Sequence, residues 1–430
     1  MNDSIEFKGY WFLPNKPNIE VVGVLRYIPN VSIMLELVGG FSENLKQLLS
    51  VDKEVELIQG YTSDAKKVTL VNCFPSSSIN FAASFAITKY SCSYMIIGKH
   101  LHSFSDASFF KAKVYFAELT YWCLPGALEG NMVFDENRNM TSLNISFENF
   151  NDNNLEIIHQ TQIDDNTNLL LKKCVDYKSS NYFLTPRIEQ YTNLEIHKKE
   201  DSSITDFISN IFLYEQFLSL ATLEVVECSK IIFYDKNLFR DYNGLKRYDK
   251  IELIYVQKGK HEKHTQTKRH NYLFVYDTIK NQYSMILQKW FAEKEEIAPI
   301  RAHLMESIKP KNVFSSVDFL IVVQAIEGYY TRFRKKDSLT NILKNIILEF
   351  SFVNKIKKDN LNIEEVRDSR HYYSHFMKKS EKPQAKEGLE LYKITHKLRK
   401  LLICCLLDFK GFDKPQINDI FNSCHNKLLD

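Results

Sequence analysis

Eleven residues, 366–376 (VRDSRHYYSHF), concentrate side chains that can transfer protons, hold an anion and stack on other rings. Histidine titrates near neutrality and can serve as acid or base, whereas arginine stays charged and grips phosphate with paired donors. Arg370, His371 and His375 supply both kinds of group within two helical turns. These groups suit RNA cleavage without a metal, which needs a base for the 2′-hydroxyl, an acid for the leaving 5′-oxygen and cations for the phosphate.

The pattern around these residues predicts one uninterrupted helix. No Gly or Pro occurs from Asn362 to Lys379. Asn362 is a suitable N-terminal cap, and Glu364 and Glu365 would lie in the first turn, where backbone N–H groups favour negative charge. The chemistry-bearing residues are therefore expected to project from a single rigid element.

The helical repeat places several of these side chains on a common face. At about 100° per residue, His371 and His375 lie one above the other, with Arg367 a turn earlier. We expect Val366 and Phe376 to bury part of the same helix. The predicted arrangement is a polar stripe on a helix that is anchored by apolar residues.

The whole composition is that of a folded protein. With 430 residues, 44% apolar residues and 25% charged residues, two or three domains with their own cores are expected. The net charge of +3 limits any nucleic-acid affinity to local basic patches. Neither a secretory signal nor a membrane-spanning apolar run is visible, so we expect a cytoplasmic protein without membrane contact.

The fold class predicted from the apolar patterns is α+β. Residues 1–200 contain short strand patterns separated by turns, which indicates a β-rich, sandwich-like region or a strongly curved sheet. Residues 201–300 mix a helix with further strands and are expected to belong to this N-terminal region. Residues 301–430 read as successive amphipathic helices, which predicts a helical bundle.

Several segments resemble a known family. Arg370, polar His371 and His375 match the Arg-polar-x-x-x-His signature of HEPN-domain ribonucleases, which place it in a helical bundle. Residues 324–330 (QAIEGYY), together with 9–14 (GYWFLP) and 23–25 (GVL), are similar to the ApeA branch of bacterial antiphage HEPN proteins. The resemblance extends over nearly the full length.

This resemblance implies an endoribonuclease of antiviral defence that acts by abortive infection. It implies that His375 is the acid/base, Arg370 the phosphate clamp and His371 the orienting residue, at a position that is often Asn in the family. The expected substrate is RNA, by analogy tRNA, cleaved without a metal or other cofactor to a 2′,3′-cyclic phosphate. The resemblance also implies a homodimer with a composite site, and an N-terminal sensor region that responds to a phage-derived activator.

Aromatic and basic residues near the motif are candidates for RNA contacts, because aromatics stack on bases and cations bind phosphate. The candidates in and near the bundle are Tyr372, Tyr373, Arg367, Arg332, Arg334 and Lys335. A second basic cluster at 397–400 (KLRK) also suits a phosphate-lined groove, although cations favour helix C-termini in any case. Glu327 is a candidate partner for Arg367 or Arg370.

Alternatives remain open at this point. A non-catalytic module that binds RNA or a protein partner would use the same bundle and basic surfaces. The spacing of His371 and His375 also matches zincin metal ligands, but Tyr372 occupies the position where that motif needs Glu. The basic loop at 258–270 suits either RNA phosphate or plain solvent.

Overall fold

The chain forms a β-rich half followed by an all-helical half, which confirms the predicted α+β class. In this computed structural model the strands are β1 (Ile5–Leu13), β2 (Lys16–Ile28), β3 (Ser32–Val38), β4 (Val55–Thr62), β5 (Lys67–Pro75), β6 (Asn80–Ala82), β7 (Phe85–Ile97), β8 (Ser108–Tyr115), β9 (Leu128–Phe134), β10 (Met140–Phe147), β11 (Ile157–Gln162), β12 (Thr167–Ser179), β13 (Pro186–Ser203), β14 (Lys230–Tyr234), β15 (Phe239–Tyr242), β16 (Leu245–Tyr248) and β17 (Ile251–Tyr255). The helices are α1 (Ala117–Cys123), α2 (Ile204–Thr222), α3 (Tyr276–Ile279), α4 (Tyr283–Ala292), α5 (Ala298–Ile308), α6 (Ser316–Phe333), α7 (Leu339–Glu349), α8 (Asn354–Asp359), α9 (Ile363–His375), α10 (Gly388–Phe409) and α11 (Lys414–Ser423).

The structure describes all residues except 1–3, 42–53, 77–79, 83–84, 106, 125, 127, 148–155, 180–184, 257–268, 293–294, 310–313 and 430. Most of the basic loop at 258–270 therefore lies outside the described residues.

Six N-terminal strands close into an antiparallel barrel. Their order is β7-β3-β2-β1-β4-β5, and β5 pairs again with β7. Side chains that alternate along these strands fill the interior, with Trp11 fully buried at its centre. A Cβ at Gly60 would lie 2.4 Å from the Trp11 ring, so glycine is needed at this position. The curvature predicted from the sequence thus completes a barrel.

The same sheet continues beyond the barrel. From β7 it runs through β17, β14, β8, β13 and β12 to β11, with every described pair antiparallel. One face is apolar and packs on α2, where Phe207 lies 5.4 Å from Phe233 between ring centroids. Helix α2 begins at a Ser203 cap that accepts a hydrogen bond from the Asp206 N–H.

Helix α2 also joins the sheet to the helical half. The indole N–H of Trp290, on α4, donates to the Leu213 carbonyl at 2.8 Å, and the hydroxyls of Tyr214 and Tyr283 lie 2.9 Å apart. One continuous apolar core therefore extends from the sheet into the helices. β13 ends at Ser203 and α5 begins at Ala298, near the expected limits of 200 and 300, but the division into domains stays a prediction.

The C-terminal helices pack around α10. This helix contacts α5, α6, α7, α8 and α11, and its stretch from Leu401 to Leu407 is fully or almost fully buried. Helix α9, which carries the motif, packs at the side of the bundle against α6 and α7. Among the described residues, no helix is both long and apolar enough to cross a membrane.

Candidate active site

Helix α9 begins where the sequence predicts, but it ends at His375 and not at Lys379. The side-chain oxygen of Asn362 accepts hydrogen bonds from the N–H groups of Glu364, at 3.0 Å, and Glu365. The helix ends after His375 because Phe376 adopts a left-handed backbone conformation, with φ 53° and ψ 36°. The motif therefore lies in the last two turns, next to a sharp change in chain direction.

Few side chains anchor α9, and only one of them is apolar and fully buried. Val366 faces the bundle as expected, and Asp368 and Ser369 are buried beside it. Phe376, which was expected to bury part of the helix, is instead 90% exposed. The prediction failed because it assumed that the helix continues past residue 376, whereas the turn directs the ring away from the bundle.

Arg370 and His375 are in direct contact. The Nη1 atom of Arg370 lies 2.7 Å from Nε2 of His375. A guanidinium has only donors, so Nε2 must accept this hydrogen bond through its lone pair. In this arrangement His375 is the neutral tautomer with its proton on Nδ1, and its accepting nitrogen is held by the arginine.

Glu327 on α6 supports the same arginine. Its Oε2 atom lies 3.6 Å from Nη2 of Arg370, and each side chain is about a quarter exposed. Of the two partners considered for Glu327, the structure therefore gives Arg370. Arg367 instead pairs with Asp368, the next residue, at 3.1 Å. The ion pair with Glu327 connects α6 and α9 and places a negative charge beside the guanidinium that contacts the histidine.

His371 completes the cluster. Its ring centroid lies 5.7 Å from that of His375, as the spacing of four residues predicts. Burial lowers the pKa of His371 below its usual value, and the positive charges of Lys382 and Arg370 lower it further. The neutral imidazole, which has one donor and one acceptor, is therefore the favoured form at neutral pH.

The chain after α9 is fixed to the flank of the helix. The N–H of Lys386 donates to the Ser369 hydroxyl at 2.8 Å, and the Tyr373 hydroxyl donates to the Lys386 carbonyl at 3.2 Å. The ammonium of Lys386 pairs with Glu365 at 3.1 Å. We call residues 376–387 the strap. The sequence did not predict this attachment, because it depends on contacts between α9 and residues that follow the end of the helix.

The two tyrosines of the motif differ in their surroundings. Their rings are perpendicular, with centroids 4.8 Å apart. Tyr373 is committed to the strap through its hydroxyl, whereas Tyr372 has the ammonium of Lys379 at 5.4 Å from its ring centroid. Stacking of Tyr372 on a nucleobase stays a prediction.

The basic residues expected to bind RNA have varied environments. Arg334 pairs with Glu349 at 2.9 Å and with Asp408 at 3.0 Å, and Arg332 donates to the Glu296 carbonyl. Lys335 is exposed. The charge of Arg334 is therefore paired within the protein, whereas the side chain of Lys335 is open to solvent.

The sequence left two readings open for the cluster at 397–400, an RNA contact and an ordinary place at a helix C-terminus, and the structure supports neither for Arg399 and Lys400. Arg399 and Lys400 are 4% and 3% exposed, and they face the bundle interior. Arg399 donates to the Ser307 hydroxyl at 3.2 Å, and Lys400 pairs with Asp359 at 3.2 Å. The sequence could not distinguish these residues from surface cations, because long basic side chains also occur on buried faces when they find partners.

Metal ligands do not converge in the part of the chain that the structure describes. No group of three or more His, Cys, Asp or Glu side chains there is arranged to hold an ion. The chemistry that the described arrangement can supply is proton transfer by two imidazoles beside one fixed guanidinium.

Comparison with known proteins identifies both halves of the chain. The family model described as ApeA N-terminal domain 1 matches residues 6–290, and the model described as Apea-like HEPN matches residues 320–416. Neither the curated proteins nor the solved structures gave a match. The second matched region contains Glu327 and the whole of α9. Because the first model alone covers well over half of the chain, this protein belongs to the ApeA family and carries an ApeA-type HEPN domain.

Proposed function

We propose that this protein is a cytoplasmic, metal-independent endoribonuclease of antiphage defence, whose HEPN domain cleaves RNA, with tRNA as the substrate. The observation that supports this most directly is the 2.7 Å contact between Arg370 and His375, braced by Glu327 on a second helix. It provides an anion-binding group and a proton acceptor at adjacent atoms. These are the two groups that 2′-hydroxyl attack on a phosphodiester needs.

The proposed reaction begins with an exchange of partners. A substrate phosphate accepts hydrogen bonds from Arg370 in place of His375. Nε2 of His375 is then free to accept the proton of the 2′-hydroxyl. The 2′-oxygen then attacks phosphorus, the bond from phosphorus to the 5′-oxygen breaks, and a protonated imidazole gives the 5′-oxygen its proton. The products are a 2′,3′-cyclic phosphate and a 5′-hydroxyl. Arg370 stabilises the charge that the phosphate gains between these states.

The source of the second proton is proposed to be another copy of the chain. By the resemblance to HEPN nucleases, two α9 helices would face each other in a homodimer and combine both copies of Arg370 and His375. The exposed position of His375 at the end of α9 is compatible with such an arrangement. His371, whose neutral form is favoured, would orient the reacting groups by hydrogen bonding.

The N-terminal region is proposed to control the nuclease in response to a phage-derived activator. Its support is the continuous core between the sheet and the helices, through which a change in one region can reach the other. Abortive infection would follow from cleavage of the host's own RNA once control is released.

The proposal is tested by incubating the purified full chain with tRNA in the presence of a chelator. The parent should produce fragments with 2′,3′-cyclic phosphate ends, while Arg370→Ala and His375→Ala should lose at least a hundredfold in rate. Arg187→Ala and His102→Ala are matched controls, because they remove the same side-chain types from exposed positions in the N-terminal half.

Different outcomes separate the candidate functions. Cleavage that survives in both motif variants would refute the assignment of the site. Tight binding of RNA by the parent without any cleavage, including in infected cells, would favour the non-catalytic binding module. Loss of cleavage on chelation that added Mg²⁺ restores would refute the metal-independent mechanism.

A further inference from the structure

Phe376 combines two unfavourable features beside the proposed catalytic pair. It directly follows His375, its ring is 90% exposed, and its backbone has φ 53°. Large apolar side chains are usually buried, and the left-handed position after a helix is usually occupied by Gly or Asn. Neither the exposure nor the backbone conformation is compensated by a ring contact among the described residues.

Basic residues follow Phe376 closely in the sequence. Lys378 and Lys382 lie in the strap, and the charge of Lys382 is close enough to His371 to contribute to its lowered pKa. Glu381 is the only acidic residue between Phe376 and Lys386 in the sequence. An exposed apolar ring on a lysine-rich segment suits a ligand that presents a flat apolar surface together with negative charge.

The strap holds this surface in place without covering it. Its far end is fixed by the bonds from Lys386 to Ser369, Tyr373 and Glu365. Lys379 adds a hydrogen bond to the Ala385 carbonyl. The ring is therefore presented from a segment that is tied at both ends, which lowers the entropy cost of binding.

We propose that Phe376 forms a nucleobase subsite, in which its ring stacks on an unpaired base next to the phosphate held by Arg370. Lys378 and Lys382 would contact the neighbouring phosphates. The inference rests on the proposed ribonuclease function and adds a determinant of substrate choice to it. Single-stranded RNA is the ligand that fits, because only an unpaired base exposes a face for stacking.

A self-complementary contact between two copies of the chain is the other occupant to consider. In a two-fold dimer the same patch meets itself when it lies on the axis. The lysines of the strap would then oppose one another, which is unfavourable without an anion between them. The charge of this surface therefore favours RNA.

The test measures RNA binding in a chain that cannot cleave. In the His375→Ala background, binding of a labelled single-stranded oligoribonucleotide should weaken about tenfold on Phe376→Ala, since one base stacked on an aromatic ring contributes on that order. Phe376→Trp should retain binding, and its indole fluorescence should be quenched by RNA. The three native tryptophans, Trp11, Trp122 and Trp290, are fully buried and give a constant background. Leu348→Ala, at another exposed apolar residue, should change nothing.

An abasic series makes the assignment specific. Each oligoribonucleotide of the series lacks the base at one position. One of them should bind equally to the His375→Ala chain with and without Phe376→Ala, because it lacks the base on which the Phe376 ring would stack. In the cleaving chain, Phe376→Ala should flatten the preference for the base beside the cleaved bond.

Three results would overturn the subsite. The first is unchanged RNA binding in Phe376→Ala, and the second is an absence of RNA binding by the His375→Ala chain. The third is a shift of Phe376→Ala from dimer to monomer in sedimentation, which would assign the ring to a contact between copies. If the parent chain bound RNA through Phe376 but did not cleave it, the subsite would stand and the nuclease function would be refuted. If Phe376→Ala cleaved RNA normally with an unchanged base preference, the nuclease function would stand and the subsite would be refuted.

Discussion

Replacing Glu327 with Gln tests whether the carboxylate on α6 positions the arginine of the motif. The substitution keeps the size of the side chain and removes one negative charge 3.6 Å from Nη2 of Arg370. If Glu327 holds the guanidinium beside His375, the arginine should sample more orientations in the variant. The fraction of molecules ready to react should then fall.

The size of this effect can be worked from the distance. Two unit charges 3.6 Å apart interact by about 1.2 kcal/mol in water and by about 4.6 kcal/mol at an effective dielectric constant of 20. Because the two side chains are 28% and 26% exposed, we expect solvent screening to leave about 1 kcal/mol. This corresponds to a decrease in kcat of about fivefold.

KM should not rise when kcat falls. In the proposed complex Glu327 would also repel the phosphate held by Arg370, so its neutralisation should leave KM unchanged or lower it. A variant that merely unfolds would lose active protein without this division between kcat and KM. The assay is initial-rate cleavage of labelled tRNA at low salt over a range of substrate concentrations.

A matched control and a refuting result complete this design. Glu390→Gln removes the same charge from an exposed pair on α10, where Glu390 lies 2.8 Å from Lys393, and should leave both constants unchanged. An unchanged kcat in Glu327→Gln, or a raised KM with the same kcat, would refute the positioning role.

Three further predictions concern stability and charge. Asn362→Ala should destabilise the protein by about 1 kcal/mol through the lost cap of α9, and Asn362→Ser should restore most of this in thermal unfolding. Burial and nearby cations lower the pKa of His396 to about 4. Between the ordinary histidine pKa of about 6.5 and this value, the unfolded chain binds a proton that the folded chain does not, so stability should fall as the pH falls through this window. On acidification the thermal midpoint of His396→Leu should fall less than that of the parent, whereas the exposed control His102→Leu should fall as much as the parent. Equal decreases in His396→Leu and the parent would contradict the assignment of this pH dependence to His396. Finally, Arg334→Ala should lower the unfolding temperature, because its ion pairs are lost. Lys335→Ala should weaken RNA binding and reduce the salt dependence of binding, with little change in stability. The opposite pattern would contradict both assignments.

Local patterns predicted most of helix α9, apart from the point at which it ends. The cap at Asn362, the absence of Gly and Pro and the helical repeat together determine that α9 forms and that His371 and His375 share a face. These features depend on interactions within about four residues, which a sequence states directly. The β-rich character of the N-terminal half was predicted in the same way, from alternating apolar residues and turn signals.

Contacts between segments that are distant in the sequence could not be predicted from local patterns. The barrel closes because β5 pairs with β7 as well as β4, and alternation along a strand does not reveal which strands become neighbours. The burial of Arg399 and Lys400 likewise depends on Ser307 and Asp359, which lie on other helices. A basic run therefore looks the same in the sequence whether it faces solvent or a partner.

The sequence by itself determined that Arg370, His371 and His375, the candidates for chemistry, lie on one helix. Only the tertiary structure decided how they are arranged: Glu327 comes from another helix to hold Arg370, and Arg370 occupies the accepting nitrogen of His375. It also turned Phe376 outward, because the backbone reverses after His375 and the strap folds back onto α9. The physical reason is one of range, since helix formation is decided by near neighbours whereas the geometry of a site is decided by the packing of the whole bundle.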